Sequence, residues 1–267
     1  IFRSGVLDTM TDPIPADILA RYSLPPLRTA AIWVHTPMNE ENAEVARKRF
    51  SFEEIFFIQL EKQRARKEYE QNPAFVIGET KFDRDGNALP NKTEIDVAAF
   101  VKRFPFEATE AQQKAIAAVL ADFKRGHAMT RLLEGDVGSG KTAVAAASAF
   151  AVVNTRPPRP DGSGPATAGS LQVAYMCPTE ILATQHFESF IQYFSYLGVQ
   201  IGLITGSGCR KFPSKLNPKG WTDISRSQLL TWVENGEIPI LIGTHALIQK
   251  SVKFKNLAYV IIDEQHR

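Results

Sequence analysis

The hydrophobic positions follow a helical period in the N-terminal part of this chain and alternate between helical and strand-like runs thereafter. Apolar clusters at 16–22 and 27–35, split by Pro25 and Pro26, predict two short helices. Residues 39–69 predict a long one, with Phe52, Ile55, Phe56 and Leu60 on one stripe. Arg47, Lys48, Arg49, Lys62, Arg64, Arg66 and Lys67 flank the stripe, offset by Glu53, Glu54, Glu61 and Glu68, and read as a solvated face. Residues 82–92 are rich in turn formers and read as an exposed loop.

A new unit begins near Phe104–Pro105. Thr109 followed by Gln112 predicts a capping box, and Ile116, Val119, Leu120 and Phe123 continue the apolar face of the helix it opens. Short apolar runs at 171–177, 199–205, 239–243 and 257–262 predict strands, and Leu132 and Leu133 read as the end of another. Helices are predicted at 143–153, after Thr179 through Leu182, Phe187 and Phe190, and at 225–235. This alternation predicts an α/β fold with a parallel sheet over 105–267, preceded by a mainly helical segment over 1–104. Residues 156–170 cannot form a core and read as a flexible insertion; 210–221, carrying Arg210, Lys211, Lys215 and Lys219, reads as an irregular solvated loop.

Composition narrows the class. With 267 residues, 44% of them hydrophobic, the chain can bury a sizeable core. A net charge of +2 gives no global basic footprint, so any polyanion contact must be local. Cys177 and Cys209 lack metal-site spacing and fit a reducing, cytoplasmic setting. The longest apolar run, 143–153, is too short to span a bilayer. No signal peptide is visible, and the start at Ile1 leaves the natural N-terminus open.

The chemistry concentrates at 131–142. Gly135, Gly140, Lys141 and Thr142 satisfy G-x-x-x-x-G-K-[ST], with Asp136, Val137, Gly138 and Ser139 between them. Such a loop curls so that successive N–H groups face a phosphate, at the N-terminus of a helix that favours an anion. Lys141 is then placed to reach the β- and γ-phosphates and Thr142 to ligate Mg²⁺. The run 260–266 ends a hydrophobic strand in Asp263 and Glu264. A nucleotide hydrolase needs one carboxylate by the metal, here Asp263, and one to orient the attacking water, here Glu264. Residues 177–179, 205–206 and 243–245 also fall at strand ends, where ligands bind in such sheets.

These motifs resemble those of the superfamily 2 motors, and most closely the RecG-type ATP-dependent DNA helicases. Residues 135–142 resemble motif I, 178–186 motif Ia, 243–249 the next DNA-contacting motif, and 260–267 motif II. Phe106, Thr109 and Gln112 resemble the glutamine element that reads adenine, while 19–24 and 49–54 resemble the segment joining wedge domain to motor. The resemblance implies a RecA-like fold that binds ATP and Mg²⁺, with Lys141, Thr142, Asp263 and Glu264 carrying hydrolysis. It implies that Gln265 and His266 couple nucleotide state to a second motor domain. Pro178, Thr179, Gly206, Gly243, Thr244 and His245 would lie along a DNA backbone. The partner implied is branched DNA, and the motor a monomer. The insertion at 156–170 and the loop at 210–221 depart from the family pattern. In that family the strand after motif II lies between the P-loop strand and the Asp–Glu strand. The resemblance therefore implies an incomplete stretch of a longer helicase, unable to unwind DNA alone. The translocase of transcription-coupled repair and a small-molecule P-loop kinase are the alternative readings.

Overall fold

A computed structural model describes residues 9–78, 96–159, 166 and 169–265. The expected loop at 82–92, most of the expected insertion at 156–170, and His266 lie outside the described residues. The chain divides into two compact units, Ile1–Gln71 and Asn72–Arg267. The sequence-based boundary near Phe104–Pro105 falls inside the second unit. Ile77, Phe100 and Phe104 are buried in that unit's main core, which draws the described residues of 72–104 into it.

In the first unit, α1 (Ala16–Arg21) and α2 (Leu27–His35) each start after a proline, and α3 (Glu40–Glu70) is capped by Asn39 Oδ1, which accepts from Asn42 N at 2.8 Å. Ile14, Leu19 and Leu24 form the small core, with Phe52 and Phe56 of the predicted stripe against it; Ile55 is exposed. Arg49 departs from the expected solvated face. It is fully buried, pairing with Glu53 one turn on and with Asp12 at 2.7 Å. Burial raises the Asp12 carboxyl, but hydrogen bonds from the N–H groups of Ile14 and Leu27 and from Arg49 outweigh it and hold the group below its ordinary value.

The second unit is built on a six-stranded sheet ordered β4-β3-β2-β5-β1-β6. Its strands are β1 (Gln172–Met176), β2 (Ile201–Ile204), β3 (Cys209–Phe212), β4 (Thr222–Ile224), β5 (Ile240–Gly243) and β6 (Leu257–Ile262). β2, β5, β1 and β6 run parallel, as the alternation predicted. β3 and β4 add antiparallel at one edge, so Arg210 and Lys211 are strand residues rather than part of an irregular loop. Arg210 pairs with Asp223, its partner across β3 and β4, at 3.4 Å and lies over the Trp221 ring at 4.1 Å.

The helices are α4 (Val97–Val101), α5 (Glu110–Phe123), α6 (Lys141–Val153), α7 (Glu180–Phe194) and α8 (Arg226–Glu234). α6 carries six alanines within its buried length, so the helix lies close against the sheet. Its Phe150 stacks on Phe100 at 4.2 Å between centroids, and Phe194 of α7 joins them. Gln172 is fully buried and satisfied: its Nε2 donates to Val233 O and Ile238 O, each at 2.9 Å, and its Oε1 accepts from Asn256 N.

The expected strand at Leu132–Leu133 is not formed. Residues 131–136 run without strand pairing, and the two leucines are 67% and 39% exposed. A strand exists only against a neighbour. β6 pairs with β1 alone, and its Leu257, Val260 and Ile262 are exposed.

Candidate active site

Because β1, β2, β5 and β6 are parallel, the segments after them gather at one edge of the sheet: 177–179, 205–208, 244–245 and 263–265. The loop before α6 closes on the N-terminus of that helix. Gly140 is its N-cap with φ 79°, a left-handed conformation in which a side chain is strained. No side chain caps α6, so its first N–H groups remain for an anion. Lys141 Nζ folds back to donate to Gly135 O at 2.7 Å and Asp136 O at 3.0 Å, and Val137 stands fully exposed at the tip.

Gln112 braces this loop from α5. The predicted capping box is present: Thr109 Oγ1 accepts from Gln112 N at 3.3 Å, and Gln112 Oε1 accepts from Thr109 N at 3.0 Å. The remaining end of the amide, Nε2, donates to Ser139 O at 2.8 Å. The reverse amide orientation would set donor against donor and acceptor against acceptor, so the assignment is unambiguous. The glutamine and the phosphate loop thus touch, though 27 positions separate them.

Asp263 follows β6 and is anchored by its N–H, which donates to Met176 O at 2.9 Å. Its Oδ2 lies 2.8 Å from Nε2 of His186 on α7. The other ring nitrogen, Nδ1, is 3.4 Å from Thr142 Oγ1 and 3.4 Å from the Tyr175 hydroxyl. The imidazole stacks on Tyr175, with centroids 4.9 Å apart. One ring therefore connects the P-loop threonine to the acid of β6. Ligating atoms of Cys177, His186 and Asp263 lie within 4.8 Å of one another. Burial, reinforced by the Asp263 charge, pushes the Cys177 thiol up to about 12, away from the thiolate. The same two causes raise the Tyr175 phenol far above its ordinary value. Thr142 and Asp263 supply the hard oxygen donors that suit Mg²⁺. Glu264 has φ 52°, an uncommon conformation outside glycine, and Gln265 beyond it is exposed.

The residues expected along DNA are placed unevenly. Thr179 caps α7, its Oγ1 accepting from Leu182 N at 3.3 Å, directly after Pro178. Gly206 lies beside Glu180, whose carboxyl is held below its usual range first by the Ser207 hydroxyl and then by the Gly206 and Ser207 N–H groups. Gly243 is buried in β5 opposite Ile204, where an added Cβ would lie 2.3 Å from Ile204 O. Its carbonyl accepts from Cys177 N at 2.8 Å. Thr244 precedes a 3-10 turn, His245–Ile248, in which His245 is exposed.

Sequence reasoning missed His186 as a site residue although it lies within 178–186. Its signal was there: Ala183, Phe187 and Phe190 mark the buried face of α7, and a histidine on that face needs a polar partner.

The DEAD/DEAH box helicase family matches residues 109–267. The ATP-dependent DNA helicase RecG of Bacillus subtilis is 37% identical over 97% of this chain and 32% of its own length. The RecG of Synechocystis sp. is 34% identical over 97% of this chain and 26% of its own length. A solved structure of RecG bound to a three-way DNA junction superposes with a TM-score of 0.69 at 31% identity, covering 98% of this chain and 31% of that one. The chain spans roughly a quarter to a third of the length of the curated relatives it matches.

Proposed function

This chain belongs to the DEAD/DEAH box helicase family, and on that footing we propose that it forms the ATP-hydrolysing lobe of a motor that remodels branched DNA. The carrying observation is the convergence of Lys141, Thr142 and Asp263, distant in sequence, around one end of a parallel sheet. The similarity to RecG over nearly the whole chain supports the choice of DNA partner.

In this reading the N–H groups at the start of α6 hold the phosphates, and Lys141 leaves Gly135 O and Asp136 O to pair with them. Mg²⁺ would supply charge neutralisation for the transferring phosphoryl group, and Thr142 and Asp263 are the residues that would hold it. Glu264 accepts a proton from the attacking water. The water oxygen bonds to the γ-phosphorus as the bond to the β–γ bridging oxygen breaks, releasing ADP and inorganic phosphate. Gln265 and His266 would report that change to a second motor domain, while Thr179, Thr244 and His245 would meet the DNA backbone, contacts that position a strand without reading its sequence.

Binding of mant-ATP to wild type and Lys141→Ala tests the nucleotide site, and equal affinity would refute it. ATPase rates of the full-length gene product with and without a three-way DNA junction test the partner; no stimulation by the junction counts against it.

A further inference from the structure

We propose that His186 is a positioning residue that orients both donors on the metal side of the site, the Thr142 hydroxyl and the Asp263 carboxylate. The inference rests on the nucleotide-binding reading above and assigns it an additional residue.

Hydrogen-bond chemistry assigns a role to each ring nitrogen. A carboxylate only accepts, so the 2.8 Å contact between Nε2 and Asp263 Oδ2 places the ring proton on Nε2. With a single ring proton, on Nε2, Nδ1 is an acceptor, and two hydroxyls, those of Thr142 and Tyr175, lie 3.4 Å from it. At that distance the bonds are long, and a shift of a few tenths of an ångström completes either. Stacking on Tyr175 prevents the imidazole from turning away, and only 13% of the side chain is exposed.

The consequence follows from what each donor must present. Thr142 can offer an oxygen lone pair to a cation only if its proton points elsewhere, and Nδ1 is an acceptor within reach. Asp263 has one oxygen engaged by Nε2, which fixes the carboxylate plane and leaves Oδ1 for the cation or its water shell. A single side chain thus sets two donors that lie on different elements, one on α6 and one after β6. Partners of this kind set the orientation and basicity of the groups that hold a metal, and their loss typically weakens metal binding by about 10- to 100-fold.

The test compares His186→Phe, which keeps the stacking and loses both hydrogen bonds, with His186→Gln, whose amide can both donate and accept. Each is made in the full-length gene product. Mant-ATP affinity is measured in EDTA and during a Mg²⁺ titration, alongside KM and kcat for ATP hydrolysis. His186→Phe is expected to raise the half-saturating Mg²⁺ about tenfold or more, with metal-free mant-ATP affinity unchanged within about twofold, and kcat reduced more than KM is raised. His186→Gln is expected to recover most of the Mg²⁺ response. An unaltered Mg²⁺ requirement in His186→Phe overturns the proposal. So does an equal loss of affinity in EDTA, or a His186→Gln protein that behaves as His186→Phe does; either marks a packing role only. If Lys141→Ala binds mant-ATP as wild type does, the nucleotide site itself falls and the role of His186 with it.

Discussion

Gln112 separates two ways in which a glutamine can serve a nucleotide site. Its Oε1 accepts from Thr109 N and its Nε2 donates to Ser139 O, bonds that brace the loop and leave one lone pair and one N–H of the amide for a base. Gln112→Ala removes both. A net hydrogen bond contributes about 1 kcal/mol, and the Ser139 carbonyl and Thr109 N–H are only part-buried, so water recovers some of the loss. The expected destabilisation is about 1.5 kcal/mol. For a unit of roughly two hundred residues that lowers Tm by about 3–6 °C. The same change unties the phosphate loop, so affinities for mant-ATP and mant-GTP should fall by the same factor. Thermal unfolding and paired mant-nucleotide titrations read both quantities. A variant that loses ATP affinity, keeps GTP affinity and melts as wild type does would show that the amide reads the base, and the bracing argument would be wrong.

Four further outcomes follow from the packing. Arg49→Met leaves Asp12 and Glu53 without their cation, and because both carboxylates keep partial solvent contact the loss should be about 2 kcal/mol by urea unfolding; an unchanged midpoint refutes the buried pair. Since the native Asp12 carboxyl sits below 3.8, the stability it adds is present above that pH and is lost as pH falls through its lower native value, a slope that Asp12→Asn should remove. Gly243→Ala brings a Cβ against the Ile204 carbonyl, a backbone atom that cannot swing aside. It should destabilise the sheet by about 3 kcal/mol with m unchanged, and wild-type stability would disprove that contact. Cys177 is 1% exposed with its thiol pushed up to about 12, so iodoacetamide at pH 8 should label it in urea and spare it in the native protein.

What could be read from the sequence was local. The capping box at Thr109 and Gln112 and the Thr179 cap arise from interactions within a few residues, and each forms as expected. The features that escaped depend on partners far along the chain. Arg49 meets Asp12 from 37 positions away, and His186 meets Thr142 and Asp263 from 44 and 77. Leu132 and Leu133 carry strand-like side chains, but nothing within the motif says whether a neighbouring strand will pair with them. The 210–221 segment failed differently: its basic residues suggested solvation, and only the pairing of β3 with β4 shows Trp221 beneath Arg210.

The alanine-rich interior of α6 bears on motion as well as packing. Alanine has no side-chain rotamers, so a helix buried chiefly through alanines cannot absorb a push by rearranging its side chains. A displacement of Lys141 and Thr142 at one end must then be passed along the axis to Phe150, and from there into the stacked rings of Phe100 and Phe194. The helix is a rigid link, with the phosphate loop at one end and the aromatic cluster at the other.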